Sequence, residues 1–78
     1  MKILLNDIKR VQEFCNLASG LLSDVDVVSG RYCVSGKSLM GLFSLSLDQP
    51  VEIRVYEVVP SEKVQFEAQL KNLGWTVD

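Results

Sequence analysis

The chain has 78 residues, 47% hydrophobic and 23% charged, which is the balance of one small globular domain built on one core. Its formal net charge is −2 and its eight basic residues are scattered, so it offers no clustered basic footprint for nucleic acid. No apolar run approaches the roughly 18 residues of a membrane helix and no signal-peptide core is present, so the expectation is a cytoplasmic protein without membrane or nucleic-acid partners.

Ile3, Leu4 and Leu5 make residues 1–5 a short strand candidate. Asn6 is predicted to cap the first helix, with Asp7 in its first turn, where a carboxylate suits the positive end of the helix dipole. Ile8, Val11, Phe14, Cys15, Ala18 and Leu22 recur at helical spacing, and Gly20 fits the helix end with Leu21 as its apolar contact.

Residues 24–28 alternate as a strand, Ser29-Gly30 is predicted to turn, and residues 31–34 return. In that register Val25 faces Val34 and Val27 faces Tyr32. These four are expected on the buried side, with Asp26 and Cys33 on the other. After the loop Ser35-Gly36-Lys37, Ser38 is a natural N-cap for a short second helix over about residues 39–45.

Asp48-Gln49-Pro50 reads as a turn. Val51, Ile53 and Val55 then alternate with Glu52, Arg54 and Tyr56 as a half-buried strand. Pro60-Ser61 opens a third helix that Gly74 closes, and Trp75 is expected to pack over an edge of the core. The order βαββαβα with half-buried strands predicts a single α+β domain over residues 1–78, an antiparallel sheet with helices on one face.

Chemistry is sparse in this pattern. The chain has no histidine, and its carboxylates are scattered along presumed solvent faces, so no paired acid–base constellation points to an enzyme. Two cysteines, Cys15 and Cys33, lie in different elements. They are expected to be free thiols, and two isolated cysteines make no zinc site. Neither a metal nor a cofactor is implied. Gly36-Lys37-Ser38 resembles the end of a phosphate-binding loop, but the glycine needed five residues earlier is replaced by Arg31.

The second helix is too apolar for its length. Leu39, Met40, Leu42, Phe43, Leu45 and Leu47 spread around most of the helical wheel. If Leu42, Leu45 and Leu47 face the core, Leu39, Met40 and Phe43 lean outward as a candidate partner surface. Burial of the whole helix between sheet and loops is the competing reading.

The run Lys37-Ser38-Leu39-Met40-Gly41-Leu42-Phe43-Ser44-Leu45 resembles the regulatory-serine segment of HPr proteins of the bacterial sugar phosphotransferase system. That segment reads Lys-Ser-Ile-Met-Gly, then apolar residues and Ser-Leu. Residues 14–19 are similar to the end of the family's first helix, and residues 25–34 to its central hairpin. The resemblance implies an HPr-like open-faced β-sandwich, with four antiparallel strands in the order 1-4-2-3 and three helices on one face. It also implies that Ser38 stands where an HPr kinase phosphorylates the family serine.

HPr carries its phosphoryl group on a histidine in a His-Ala-Arg-Pro motif. Counting back from Ala18-Ser19 puts that motif on Asp7-Ile8-Lys9-Arg10, so Asp7 replaces the active-site histidine. Asp7 either imitates a phosphorylated histidine or only serves the helix dipole, and acidic first turns are common for the second reason alone.

The expectation that follows is a non-catalytic HPr-like regulatory or adaptor protein related to the phosphoenolpyruvate-dependent phosphotransferase system. It is not competent for histidine phosphotransfer and is controlled through Ser38. By resemblance its partners are an HPr kinase and a transcriptional regulator of carbon use. The alternatives are a phosphocarrier that uses a group such as Asp7, and a structural module that has lost the family function.

Overall fold

A computed structural model describes residues 1–77. Its elements are β1 (Lys2–Ile3), α1 (Ile8–Ser19), β2 (Asp24–Ser29), β3 (Tyr32–Ser35), α2 (Leu39–Phe43), β4 (Val51–Tyr56) and α3 (Glu62–Asn72). The strands form one antiparallel sheet in the order β1-β4-β2-β3, the predicted fold. Register explains its two faces. Ile3 pairs with Val51, Val27 with Ile53 and Val25 with Val55, so one face is a continuous apolar surface. The opposite face carries Glu52, Arg54, Asp26 and Cys33 and is open.

The helices cover the apolar face. Val11, Phe14 and Ala18 of α1, Leu42 of α2 and Phe66 and Leu70 of α3 are fully buried. Phe14 and Phe66 meet with ring centroids 5.6 Å apart and planes tilted by 57°, a favoured aromatic geometry that ties α1 to α3. Among the described residues no helix is long and apolar enough to cross a membrane.

Four local expectations are corrected. Asp7, not Asn6, caps α1. Its backbone is extended and its Oδ1 accepts the Lys9 N–H at 2.7 Å. Ile8 and Leu22, placed on the core stripe by spacing, are exposed. Leu22 lies beyond the end of α1, where the helical period no longer sets its direction.

The hairpin turns at Gly30-Arg31 rather than Ser29-Gly30, so Val27 pairs with Val34 and Ser29 with Tyr32. Gly30 has φ +58°, and the shift puts glycine at the first turn position, which needs that conformation. The displaced register keeps each residue's side of the sheet, but Tyr32 moves past the core to the turn and is 72% exposed. Finally, α2 ends at Phe43 rather than at about Leu45, whereas Pro60-Ser61 does lead into α3, with Ser61 at φ +78° and without a side-chain cap.

One element was not foreseen. Thr76 bridges to Ile3, the Leu4 N–H donates to the Trp75 carbonyl at 3.0 Å, and the Val77 N–H donates to the Lys2 carbonyl at 3.1 Å. The end of the described chain thus covers the outer edge of β1, which manages an otherwise open strand edge. Trp75 is buried as expected, with the Arg10 guanidinium 5.5 Å above its ring.

Candidate functional site

The second helix is short, and its two ends are fixed by serines. Ser38 has extended backbone angles and its Oγ accepts the Gly41 N–H at 3.1 Å. At the other end the Ser44 hydroxyl donates to the Gly41 carbonyl at 2.6 Å. Gly41 also permits a close approach. A Cβ there would stand 3.1 Å from Ser38 Oγ and 3.3 Å from the Val34 Cβ, tighter than ordinary contact, so glycine lets α2 lie this near β3 without either giving way.

This anchoring divides the apolar residues as the first of the two readings required, and the helix is not buried whole. Leu42 and Leu45 enter the core and Leu47 packs against it. Met40 is 80% exposed, Phe43 41% and Leu39 37%, which makes one apolar surface on the outer side of α2. Leu39 borders Gln12, Cys15 and Asn16 of α1 across a shallow groove, so the flanking side chains on that border carry no charge.

Ser38→Ala removes the cap from a helix of five residues. The expected cost is about 0.5–2 kcal/mol in denaturant-unfolding measurements, with Ser38→Asp retaining most of the stability. Equal stability of Ser38→Ala and wild type would show that the cap contributes nothing.

Asp7 and Ser38 are not brought together. The Cys15 thiol donates to the Lys37 carbonyl at 3.6 Å, which places the start of α2 beside the middle of α1. Asp7 lies eight residues earlier on α1, about 12 Å along the helix axis. The basic residues of the degenerate motif do not form a phosphate cradle either. Arg10 is turned inward, donating to the Leu4 carbonyl at 3.0 Å and stacking on Trp75. The end of α1 that occupies the position of the phosphotransfer motif is joined through Arg10 to Leu4 and Trp75.

A polar cluster at the opposite end of α1 was missed from sequence. Ser23 is fully buried, and its hydroxyl donates to Glu62 Oε1 at 2.5 Å while accepting the Val58 N–H at 2.9 Å. The Ser23 N–H donates to the same carboxylate oxygen at 2.9 Å, and the Leu22 N–H to Oε2 at 3.1 Å. Lys37 joins from a third element, with its ammonium donating to the Leu21 carbonyl at 2.8 Å. Its charge is therefore directed toward the α1–β2 loop. The only sequence signal was an acidic residue opening α3, which the helix dipole alone would explain.

The Ser23 hydroxyl is the main cause holding the Glu62 carboxyl below the usual range. The Leu22 and Ser23 N–H groups and the Lys37 charge add to it, against an opposing desolvation. Folding thus favours ionised Glu62. The resulting stabilisation is complete above about pH 4.3 and is lost as pH falls through the lower folded value. Melting temperature against pH should show Glu62→Gln below wild type at neutral pH, with the gap closing in acid. A constant gap would contradict this linkage.

Both cysteines are free thiols, Cys15 half-buried and Cys33 exposed. Partial desolvation, then the charge and hydrogen bonding of Asp26, push the Cys33 thiol up, against a weaker effect of Arg54. It is thus no activated nucleophile. Thiol counting under denaturing, non-reducing conditions should give two per chain, and native alkylation should consume Cys33 before Cys15. The reverse order would contradict the placement of Cys15 against α2.

Among the described residues no group of three or more Cys, Asp or Glu side chains is placed to hold a metal ion. No protein-family model matches the chain, and no curated protein matches it. Among solved structures it is similar to the crystal structure of HPr-C-His from Thermoanaerobacter tengcongensis. The TM-score is 0.76 at 20% identity, covering 99% of this chain and 97% of that one. This likeness shows that the chain has the HPr-like fold.

Proposed function

We propose that this chain is a cytoplasmic, non-catalytic adaptor of the HPr type that offers the outer side of α2 to a protein partner, with Ser38 as its modifiable residue. The carrying observation is the exposure of Met40, Phe43 and Leu39 together on a helix whose other side is fixed in the core. The HPr-like fold and the serine segment support the same assignment. A protein without histidine has no imidazole to phosphorylate, and Asp7 is engaged as a helix cap.

Phosphorylation would place the γ-phosphoryl group of a nucleoside triphosphate on the Ser38 oxygen. The nucleoside diphosphate leaves, and the hydroxyl proton passes to the kinase. Negative charge would then stand beside the apolar surface and change which rims it accepts, repelling acidic ones. An HPr kinase is the expected modifying partner and a transcriptional regulator of carbon use the expected receiver.

Two assays test this. An HPr kinase should label wild type and not Ser38→Ala; failure on folded wild type overturns the switch. Phosphoenolpyruvate with the upstream phosphotransferase should leave the chain unlabelled. Hydroxylamine-sensitive phosphate that disappears in Asp7→Ala would replace the adaptor with a phosphocarrier.

A further inference from the structure

The peptide unit joining Leu21 to Leu22 is held between opposite charges. Its carbonyl accepts from the Lys37 ammonium at 2.8 Å, and its N–H donates to the Glu62 carboxylate at 3.1 Å. A cation on the oxygen and an anion on the hydrogen both deepen the peptide dipole, so each bond strengthens the other. Ser23 extends the arrangement: its N–H donates to the same carboxylate, and its hydroxyl links Glu62 to the Val58 N–H. The α1–β2 loop, the approach to α3 and the residue before Ser38 therefore form one polar network.

Lys37 is the single member of that network that adjoins the α2 surface. Its side chain starts one residue before Ser38, its carbonyl accepts the Cys15 thiol, and its N–H donates to Ser35 Oγ at 3.2 Å. The backbone of the residue is thus pinned, while its ammonium stands at the end of a flexible four-carbon stem. In the unmodified chain that acceptor is a neutral carbonyl.

We propose that Lys37 is a coupling residue: negative charge on the Ser38 side chain draws its ammonium from the Leu21 carbonyl and loosens the grip of Glu62 on Leu22 and Ser23. This rests on the reading of Ser38 as a modifiable residue. A phosphoryl dianion attracts the ammonium more strongly than a neutral carbonyl does, because Coulomb attraction between opposite charges adds to a hydrogen bond that is already charge-assisted. Modification at α2 is then felt at the far side of the helical layer, where Leu22 and Val58 are exposed apolar residues. The two ends are linked by one side chain and not by a movement of the core.

The test installs phosphoserine at position 38 during translation, which needs no kinase, and measures amide hydrogen exchange of Leu22 and Ser23. Ser38→phosphoserine should lower their protection by about tenfold, the loss expected for one charged hydrogen bond. In Lys37→Met the protection should already be low, and phosphoserine should lower it no further. A merely structural Lys37 would instead give additive effects.

Ser38→Asp against Ser38→Asn, two caps of equal quality that differ in charge, repeats the comparison should the phosphorylated chain fold poorly. Unchanged protection on adding the charge, or the same drop without Lys37, overturns the coupling. A kinase that ignores wild type would overturn the modification reading and leave this result standing.

Discussion

Leu42→Ala is expected to destabilise the protein by about 2–5 kcal/mol, the range for removing a fully buried leucine side chain from a packed core. Leu42 is the one buried residue within α2, and only five residues form that helix. A domain of 78 residues has a total stability of about 4–12 kcal/mol, so this one change removes a large fraction. The melting temperature should fall by about 10 °C or more. Met40→Ala, two residues away and on the solvent side, should stay within about 0.5 kcal/mol. Calorimetry of the pair checks the division of α2 into an anchored and a presented side. Equal effects of the two substitutions would contradict it.

Ser23→Ala is the second large effect. The hydroxyl is fully buried and acts in both directions, donating to Glu62 and accepting from Val58. Alanine removes the acceptor of the Val58 N–H and the donor to Glu62 together at a partly buried site, at a cost of about 1–3 kcal/mol. Glu62 loses the strongest of its ties in the same step. Urea unfolding should show the midpoint falling at unchanged slope, since the surface exposed on unfolding is the same. A change under about 0.5 kcal/mol would mean that the network is replaceable by solvent.

Much of the fold was legible because its signals are local. The alternation around Val51, Ile53 and Val55, the helical spacing of Val11, Phe14 and Ala18, and the serine before Leu39 each act within a few residues. Counting apolar residues against a helix with one side to bury left two readings of α2 open, and the burial of Leu42 and Leu45 against the exposure of Met40 decides between them. The HPr-like strand order came from the serine segment, since spacing alone does not order strands.

The missed features are non-local or degenerate. Ser23 and Glu62 are 39 residues apart, and each alone is an ordinary turn or first-turn residue. The hairpin offered two adjacent turns, both containing Gly30. The choice rested on which turn position carries the positive φ. Asn6 and Asp7 are both good caps, and sequence does not distinguish neighbours of equal propensity.

The pairing of residues 75–77 with β1 makes the backbone nearly a ring. The Ile53 N–H donates to the Met1 carbonyl at 2.9 Å while Val77 reaches Lys2, so both ends of the described chain lie along one sheet margin. That last contact joins residues 75 positions apart, and loop-closure entropy makes it a late event in folding. A circular order of the same elements, cut at the exposed Gly30-Arg31 turn and joined across the margin by a short flexible link, would keep every layer contact in place. Its folding would begin from the closure that the linear chain reaches last.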